Sequence, residues 1–200
     1  MQLHSLLPAL FRHGQTEENL KRIFQGHLPG VLTEEGRQQA VQLHAQLLSL
    51  PLDAVVSSDL QRVIDTVKLA FTGSTTGADS EAVFPDGELS ELQVPLDGRK
   101  IPWEKTQLLR EIDWGSWTGI SIDSVDRSQL PADAETKEML YESAGRVLAY
   151  LKAHYEGKTI LVVAHGLVNR SIQAQIEGVG VEHLYDVPHM KNAEIRKFIF

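Results

Sequence analysis

Leu6-Leu7-Pro8-Ala9-Leu10-Phe11, then Arg12-His13-Gly14, then Gln15-Thr16-Glu17-Glu18-Asn19, is the stretch whose reading decides the rest of this sequence. An apolar run of strand length ends at a glycine and gives way to a polar opening with a threonine and two acids, the pattern of a strand followed by a helix start. The same unit returns twice. Asp53-Ala54-Val55-Val56 leads through Ser57-Ser58-Asp59 to a helical stretch from Arg62 to Leu69. Thr159-Ile160-Leu161-Val162-Val163-Ala164 leads through His165-Gly166 to another from Leu167. Short β-branched runs each followed by a helix predict an α/β fold, a three-layer sandwich with a mostly parallel central sheet flanked by helices.

Outward from these units, Glu34 to Leu50 sets Ala40, Val41, Leu43, Leu47 and Leu48 along one helical face behind a Thr33 cap. Ala134 to Tyr155 repeats apolar groups at Met139, Ala144, Val147, Leu148 and Leu151, interrupted by Gly145. Ala193 to Phe200 reads as a closing strand. Between Thr72 and about Pro102 the chain is rich in Gly, Ser, Thr, Asp and Pro, too thin in apolar residues for its own core. The expectation is one domain over residues 1–200 with an irregular insertion around 72–106, serving as a lid or substrate wall, or merely as a disordered tether.

Composition bounds the function. With 200 residues the chain suits one domain, and its net charge of −8 recommends neither nucleic acid nor an acidic membrane as partner. There is no cysteine, which excludes disulfides, thiolate catalysis and cysteine-bound zinc. Met1 to Pro8 lacks the basic start and long apolar run of a signal peptide, and no stretch is long enough to span a bilayer, so a cytoplasmic protein is expected. A homodimer is left open.

In an open parallel sheet, ligands bind outside the carboxyl ends of the strands. The three units place Arg12 and His13, then Ser57, Ser58 and Arg62, then His165 at such ends, each beside a helix start whose free N–H groups favour an anion. Together they describe a pocket for phosphate or another compact oxyanion. Singly, each has a duller reading: a hydrogen-bonded structural histidine, a solvated helix arginine, and, at Glu111, an ordinary surface acid.

The stretch Leu10 to Asn19 resembles the signature of the histidine phosphatase superfamily, the phosphoglycerate mutase-like proteins. Three further blocks resemble that family in its order: Ser57-Ser58-Asp59-Leu60-Gln61-Arg62 with Thr66, Leu109-Arg110-Glu111 through Gly119, and Val163-Ala164-His165-Gly166. The resemblance implies a phosphoglycerate mutase-like fold, with His13 as nucleophile forming a phosphohistidine. It implies that Arg12, Arg62 and His165 bind the non-bridging oxygens, Thr16 and Asn19 line the phosphate pocket, and Glu111 is the proton donor. Thr16 has an equally good reason to be there as a helix cap. No metal and no cofactor are implied, since arginines supply the positive charge, and the partner is a small phosphorylated substrate. The separation of Arg62 from Glu111 is longer than in compact members, and Pro8 is awkward in a central strand, so strand one is expected to start late or carry a bulge.

Hydrolysis is expected rather than mutase activity, because family mutases carry added segments and this chain reaches its closing strand at Phe200. Lys21, Arg22, Arg99 and Lys100 are candidates to meet a second anionic group, and Trp103, Trp114 and Trp117 to stack on a ring, with solvated charge and core packing as their plainer readings. Rival classes are a metallohydrolase, against which stands the lack of a His-Glu-x-x-His or close histidine cluster, and a catalytically inactive phosphate-binding module. A nucleotide-dependent kinase would want a Gly-x-x-x-x-Gly-Lys-Ser/Thr phosphate loop, which is not present.

Overall fold

Alternation of apolar residues along the central strands fixes two layers of helices. The computed structural model of the protein describes residues 7–75 and 93–199. In β5 (Thr159–Ala164), Leu161 and Val163 face one side, and Ile160, Val162 and Ala164 the other. β1 (Leu7–Arg12) divides Ala9 and Phe11 from Leu10 in the same way, and β2 (Ala54–Ser58) divides Val55 from Ala54 and Val56. Against the first face pack Leu43, Leu47 of α3 (His44–Leu48), and Val63, Val67 and Ala70 of α4 (Gln61–Thr72). Against the second pack Leu140, Ala144, Val147, Leu148 and Leu151 of α5 (Lys137–Tyr155) and Val168 and Ile172 of α6 (Gly166–Glu177). Burial on both faces is what parallel strands require, and the predicted three-layer α/β architecture is the one observed.

The sheet has six strands in the order β3-β4-β2-β5-β1-β6. β4 (Arg99–Thr106), β2, β5 and β1 run parallel; β3 (Gln93–Leu96) and β6 (Ile195–Lys197) are antiparallel edges. Register brings the carboxyl ends level, with Arg12 opposite Ala164 and Ser57 opposite Val163. His13, Ser58 and His165 therefore leave the sheet at one edge. Among the described residues no helix is long and apolar enough to cross a membrane.

Three sequence expectations are corrected. The irregular insertion over 72–106 is not irregular at its end: residues 93–106 form the β3–β4 hairpin, and Val94, Leu96, Ile101 and Trp103 are buried on one face of the sheet. The prolines that disguised it sit where a missing N–H costs little, Pro95 in the edge strand and Pro102 just before the first β4 residue paired with β2. The stretch 76–92 lies outside the described residues. Pro8 stands inside β1, opposite Ile160, with no late start. Its carbonyl accepts from the Phe198 amide, so its missing N–H also faces the edge strand β6, where the return bond to Phe198 is lost at the end of the ladder while the pairing with β5 is kept. The helix expected over Glu34–Leu50 is interrupted: α2 (Glu34–Gln42) ends in a tightened turn, where the Leu43 amide bonds Ala40, and α3 comes next. Leu48, expected on the buried face, is 44% exposed, and so is Met139 on α5 at 50%.

One close approach couples this scaffold to the site. Thr33 caps α2 by accepting from the Gly36 amide, and the Thr33 amide bonds the Gln15 carbonyl. A Cβ on Gly36 would lie 2.0 Å from that Gln15 oxygen, and one on Gly14 would lie 2.4 Å from the Gly36 oxygen. Backbone meets backbone here, so nothing flexible can give way. Gly36→Ala is expected to destabilise the fold by about 1–3 kcal/mol or more through overpacking, read as a lowered urea midpoint. An unchanged midpoint would mean that the loop carrying His13 moves freely.

Candidate active site

β1 ends at Arg12, and the next residue, His13, is buried with its backbone held on both sides. Its amide bonds the Ala164 carbonyl at 3.2 Å, and its carbonyl accepts from Asn192 at 3.1 Å. The ring Nδ1 lies 2.7 Å from the Gly14 carbonyl, which can only accept, so Nδ1 carries the proton and Nε2 keeps its lone pair. Burial, then the charges of Arg62 and Arg12, hold the His13 pKa well below its ordinary value. The ring is thus neutral in one tautomer with its Nε2 lone pair free, the state that attack on phosphorus would need.

Around it stand unpartnered donors. Arg12 sends one terminal nitrogen to His189 Nε2 at 2.8 Å and to the Met190 carbonyl at 2.7 Å, and Arg62 sends its two to the carbonyls of Leu28 and Gly26. Both guanidinium Nε atoms are buried with no hydrogen-bond partner among the described residues. His165 has its Nε2 at 2.9 Å from Ser58 Oγ, and its buried Nδ1 is likewise unpartnered. With the Ser58 hydroxyl donating, Nδ1 carries the ring proton. The His13 and His165 rings meet edge-on at 5.3 Å between centroids. Unsatisfied buried donors cost free energy, and three of them gathered around one nucleophile suit an oxyanion and repel a metal ion. Burial lowers the Arg62 pKa to about 10, which still leaves it charged at neutral pH.

Glu111 lies in the segment after β4, where the fork of Arg110 grips Asp59 at 2.7 and 2.5 Å and His27 bonds the Glu111 carbonyl at 2.9 Å. Its carboxylate accepts from the Leu167 amide at 3.2 Å and the Val168 amide at 3.3 Å, so it caps α6. It is also a charge partner of both Arg12 and Arg62. This corrects one physical expectation. The helix starts do not supply the anion's donors: α6 gives its first amides to Glu111, α1 (Glu17–Leu20) is capped by Thr16, and the Arg62 amide bonds Pro29. Side chains carry the charge instead.

A buried neutral histidine, two arginines and an acid thus line one pocket. The sequence profile described as histidine phosphatase superfamily (branch 1) matches residues 9–94 and 90–200. The chain belongs to the histidine phosphatase superfamily. An adenosylcobalamin/alpha-ribazole phosphatase of Salmonella typhi is 30% identical over 158 residues, covering 78% of this chain and 72% of that protein. A 2,3-bisphosphoglycerate-dependent phosphoglycerate mutase of Bartonella henselae is 27% identical over 194 residues, covering 88% and 84%. Among solved structures, Bacillus stearothermophilus YhfR superposes with a TM-score of 0.76 at 25% identity, covering 96% of this chain and 90% of that one.

In this histidine phosphatase Arg12, His13, Arg62, Glu111 and Asn19 line one cavity of about 350 Å³, within the range of small-molecule sites. His165 lies buried against His13. Thr16 is elsewhere: its hydroxyl accepts from the Asn19 amide and donates to Gln25, while the Asn19 side chain returns to the Thr16 amide. That is a complete capping box, and of the two explanations for Thr16 the geometry fits the cap. Trp103 is core, bonding Ser57 at 2.8 Å. Trp114 packs on Phe24 at 4.7 Å and reaches the cavity wall, and Trp117 stacks behind Phe24 at 5.2 Å. Of the four cations considered for a second anion, Arg22 alone lines the cavity, and its Nε and one terminal nitrogen go to Asp123 at 2.8 Å.

Several further residues support the site; Ser58 and Thr66 stand in the sequence blocks that resemble the family's, though nothing in those blocks shows which groups they bond. Ser58 orients His165, Thr66 accepts from the Gly14 amide at 3.1 Å, and Asn169 bonds the Phe11 carbonyl at 3.0 Å. Asn169 lies one turn after His165 on α6, so helical spacing alone would have marked it. His189 and Asn192 come from the loop before β6, where no periodicity points to them.

Proposed function

We propose that this histidine phosphatase hydrolyses phosphomonoesters of small metabolites through a phosphohistidine on His13. The observation that supports the reading most is the His13 ring itself, neutral, tethered through Nδ1 and surrounded by unpartnered cationic donors. In the first step His13 Nε2 forms a bond to phosphorus while the bond to the leaving oxygen breaks, and Glu111 gives its proton to that oxygen. Arg12, Arg62 and His165 hold the non-bridging oxygens as charge develops, a positioning and electrostatic task. Asn19, on the same wall, adds an amide to the pocket. In the second step Glu111 takes a proton from water, the water oxygen bonds phosphorus, and the bond to His13 breaks to release phosphate.

The positive charge comes from side chains, so turnover needs no metal ion. Phosphate release from an aryl phosphate is expected to be the same with and without a strong chelator. Loss of activity on chelation, restored by a divalent cation, would sink the mechanism. A second reading, phosphoglycerate mutase-type transfer, is favoured by the Bartonella relative. Supplying an acceptor alcohol separates the two: a hydrolase gives phosphate in proportion to substrate consumed, and a mutase gives a new phosphoester.

A further inference from the structure

The cavity that holds the catalytic groups contains more positive charge than one phosphate can use. Arg12, Arg22, Arg62, Arg127 and Arg170 all line it, against one carboxylate, Glu111, among the described lining residues. Arg12 and Arg62 belong to the scissile phosphate, and Arg22 is neutralised by the exposed bidentate pair with Asp123. Arg170 has no such partner. Its Nε is buried without a hydrogen bond, no carboxylate pairs with it among the described residues, and its guanidinium carbon lies 5.7 Å over the Tyr185 ring. Arg196, which faces it, is already committed to Glu194 at 2.7 Å, Gln173 and two carbonyls. The His189 imidazole accepts from Arg12 and is near enough to feel the charges of both Arg12 and Arg170. Gly166, at the head of α6, lies against Arg12 and His189, and Arg170 comes four residues later, about 6 Å along the helix axis.

A guanidinium left without a carboxylate on the wall of a polar cavity is placed to receive one from a ligand. Resting on the phosphatase reading above, we propose that Arg170, with Arg127 of the same cavity, forms a second oxyanion subsite. The preferred substrates then carry a carboxylate or a further phosphate about one helical turn from the scissile phosphorus. The Arg170 guanidinium lies over the Tyr185 ring, and Tyr185, Phe24 and Trp114 give the same cavity an apolar lining for the substrate's carbon frame.

The test compares kcat/KM for 3-phosphoglycerate, glycerol 3-phosphate and propane-1,3-diol bisphosphate, which present a carboxylate, a neutral hydroxymethyl and a second phosphate. Wild type is expected to favour an acidic substrate over the neutral one by about tenfold or more, and which acid wins identifies the anion. In Arg170→Gln the ratio of acidic to neutral kcat/KM is expected to fall towards one, through KM. Arg170→Lys is expected to keep an intermediate ratio, which a merely structural loss would not do. Wild type turning over an aryl phosphate with no acidic preference, or Arg170→Gln keeping the wild-type ratio, would overturn the subsite and leave the phosphatase reading intact. Absence of aryl phosphate turnover would overturn the phosphatase reading instead. Calorimetric binding of the same three compounds to wild type would still decide the subsite, since equal affinities refute it.

Discussion

Replacing His13 with alanine is expected to lower turnover by about 10⁴-fold or more, to the background of the assay, for every phosphomonoester tried. No neighbouring group can take over. His165 is the nearest imidazole, but its Nε2 is engaged with Ser58, and with the Ser58 hydroxyl donating its Nδ1 carries a proton and no lone pair. Arg12 and Arg62 stay charged and are not nucleophiles. Because those donors remain, the His13→Ala protein should still bind inorganic phosphate, which separates loss of chemistry from loss of the pocket. A variant that binds phosphate yet turns over at the wild-type rate would remove His13 from the mechanism.

Glu111→Gln carries the second large effect, and its signature is a dependence on the leaving group. An alkyl phosphate expels a strongly basic alkoxide that needs a proton, so turnover should fall by about 10²–10⁴-fold. A nitrophenyl phosphate leaves as a weakly basic phenolate, and its first step should suffer far less. The substitution has a structural side. Glu111 accepts from the amides of Ile112, Leu167 and Val168, and a glutamine amide nitrogen cannot accept, so one cap of α6 is weakened at a cost of about 1 kcal/mol. That loss would slow both substrates alike. Loss of the water-activating base in the second step also slows both, so the comparison is made on the first step, read as the burst of alcohol or phenol release. Equal slowing of that burst for alkyl and aryl phosphates would assign Glu111 to positioning α6 and not to protonating the leaving group.

Much of this was legible in the sequence because the strand-to-helix junctions are local. The apolar runs ending at Phe11, Val56 and Ala164 announce strands buried on both faces, and the residues just after each run must emerge at one edge of a parallel sheet. Arg12, His13, Arg62 and His165 were reachable by that argument, and the structure brings them together with Glu111 around one nucleophile.

The failures had physical causes. The β3–β4 hairpin hid behind Pro95 and Pro102, although Val94, Leu96, Ile101 and Trp103 keep the period-2 alternation of a strand pair. Helix starts were expected to hold the anion, but the capping group of α6 is Glu111, which arrives from a segment 55 residues earlier than Gly166, and no local pattern announces it. Lys21, Arg99 and Lys100 were candidates for a second anion only because they are cations near motifs. Lys21 instead pairs with Glu17 on the surface, and Arg99 and Lys100 lie exposed on the hairpin. Arg170 was readable, lying on the helix that His165 begins, but helical phase has to be combined with the absence of a carboxylate partner, and only the fold supplies that.

The measurement that bears most directly on the central claim is chemical trapping of the intermediate. Wild type and Glu111→Gln would be mixed with an aryl phosphate, quenched in alkali, where phosphohistidine survives, and digested for mass spectrometry. One phosphoryl group on the peptide containing His13, absent from the His13→Ala protein and accumulating in Glu111→Gln as water attack slows, is the predicted result. Sustained phosphate release with no phosphorylated His13 peptide, or with the label on another residue, would contradict the account.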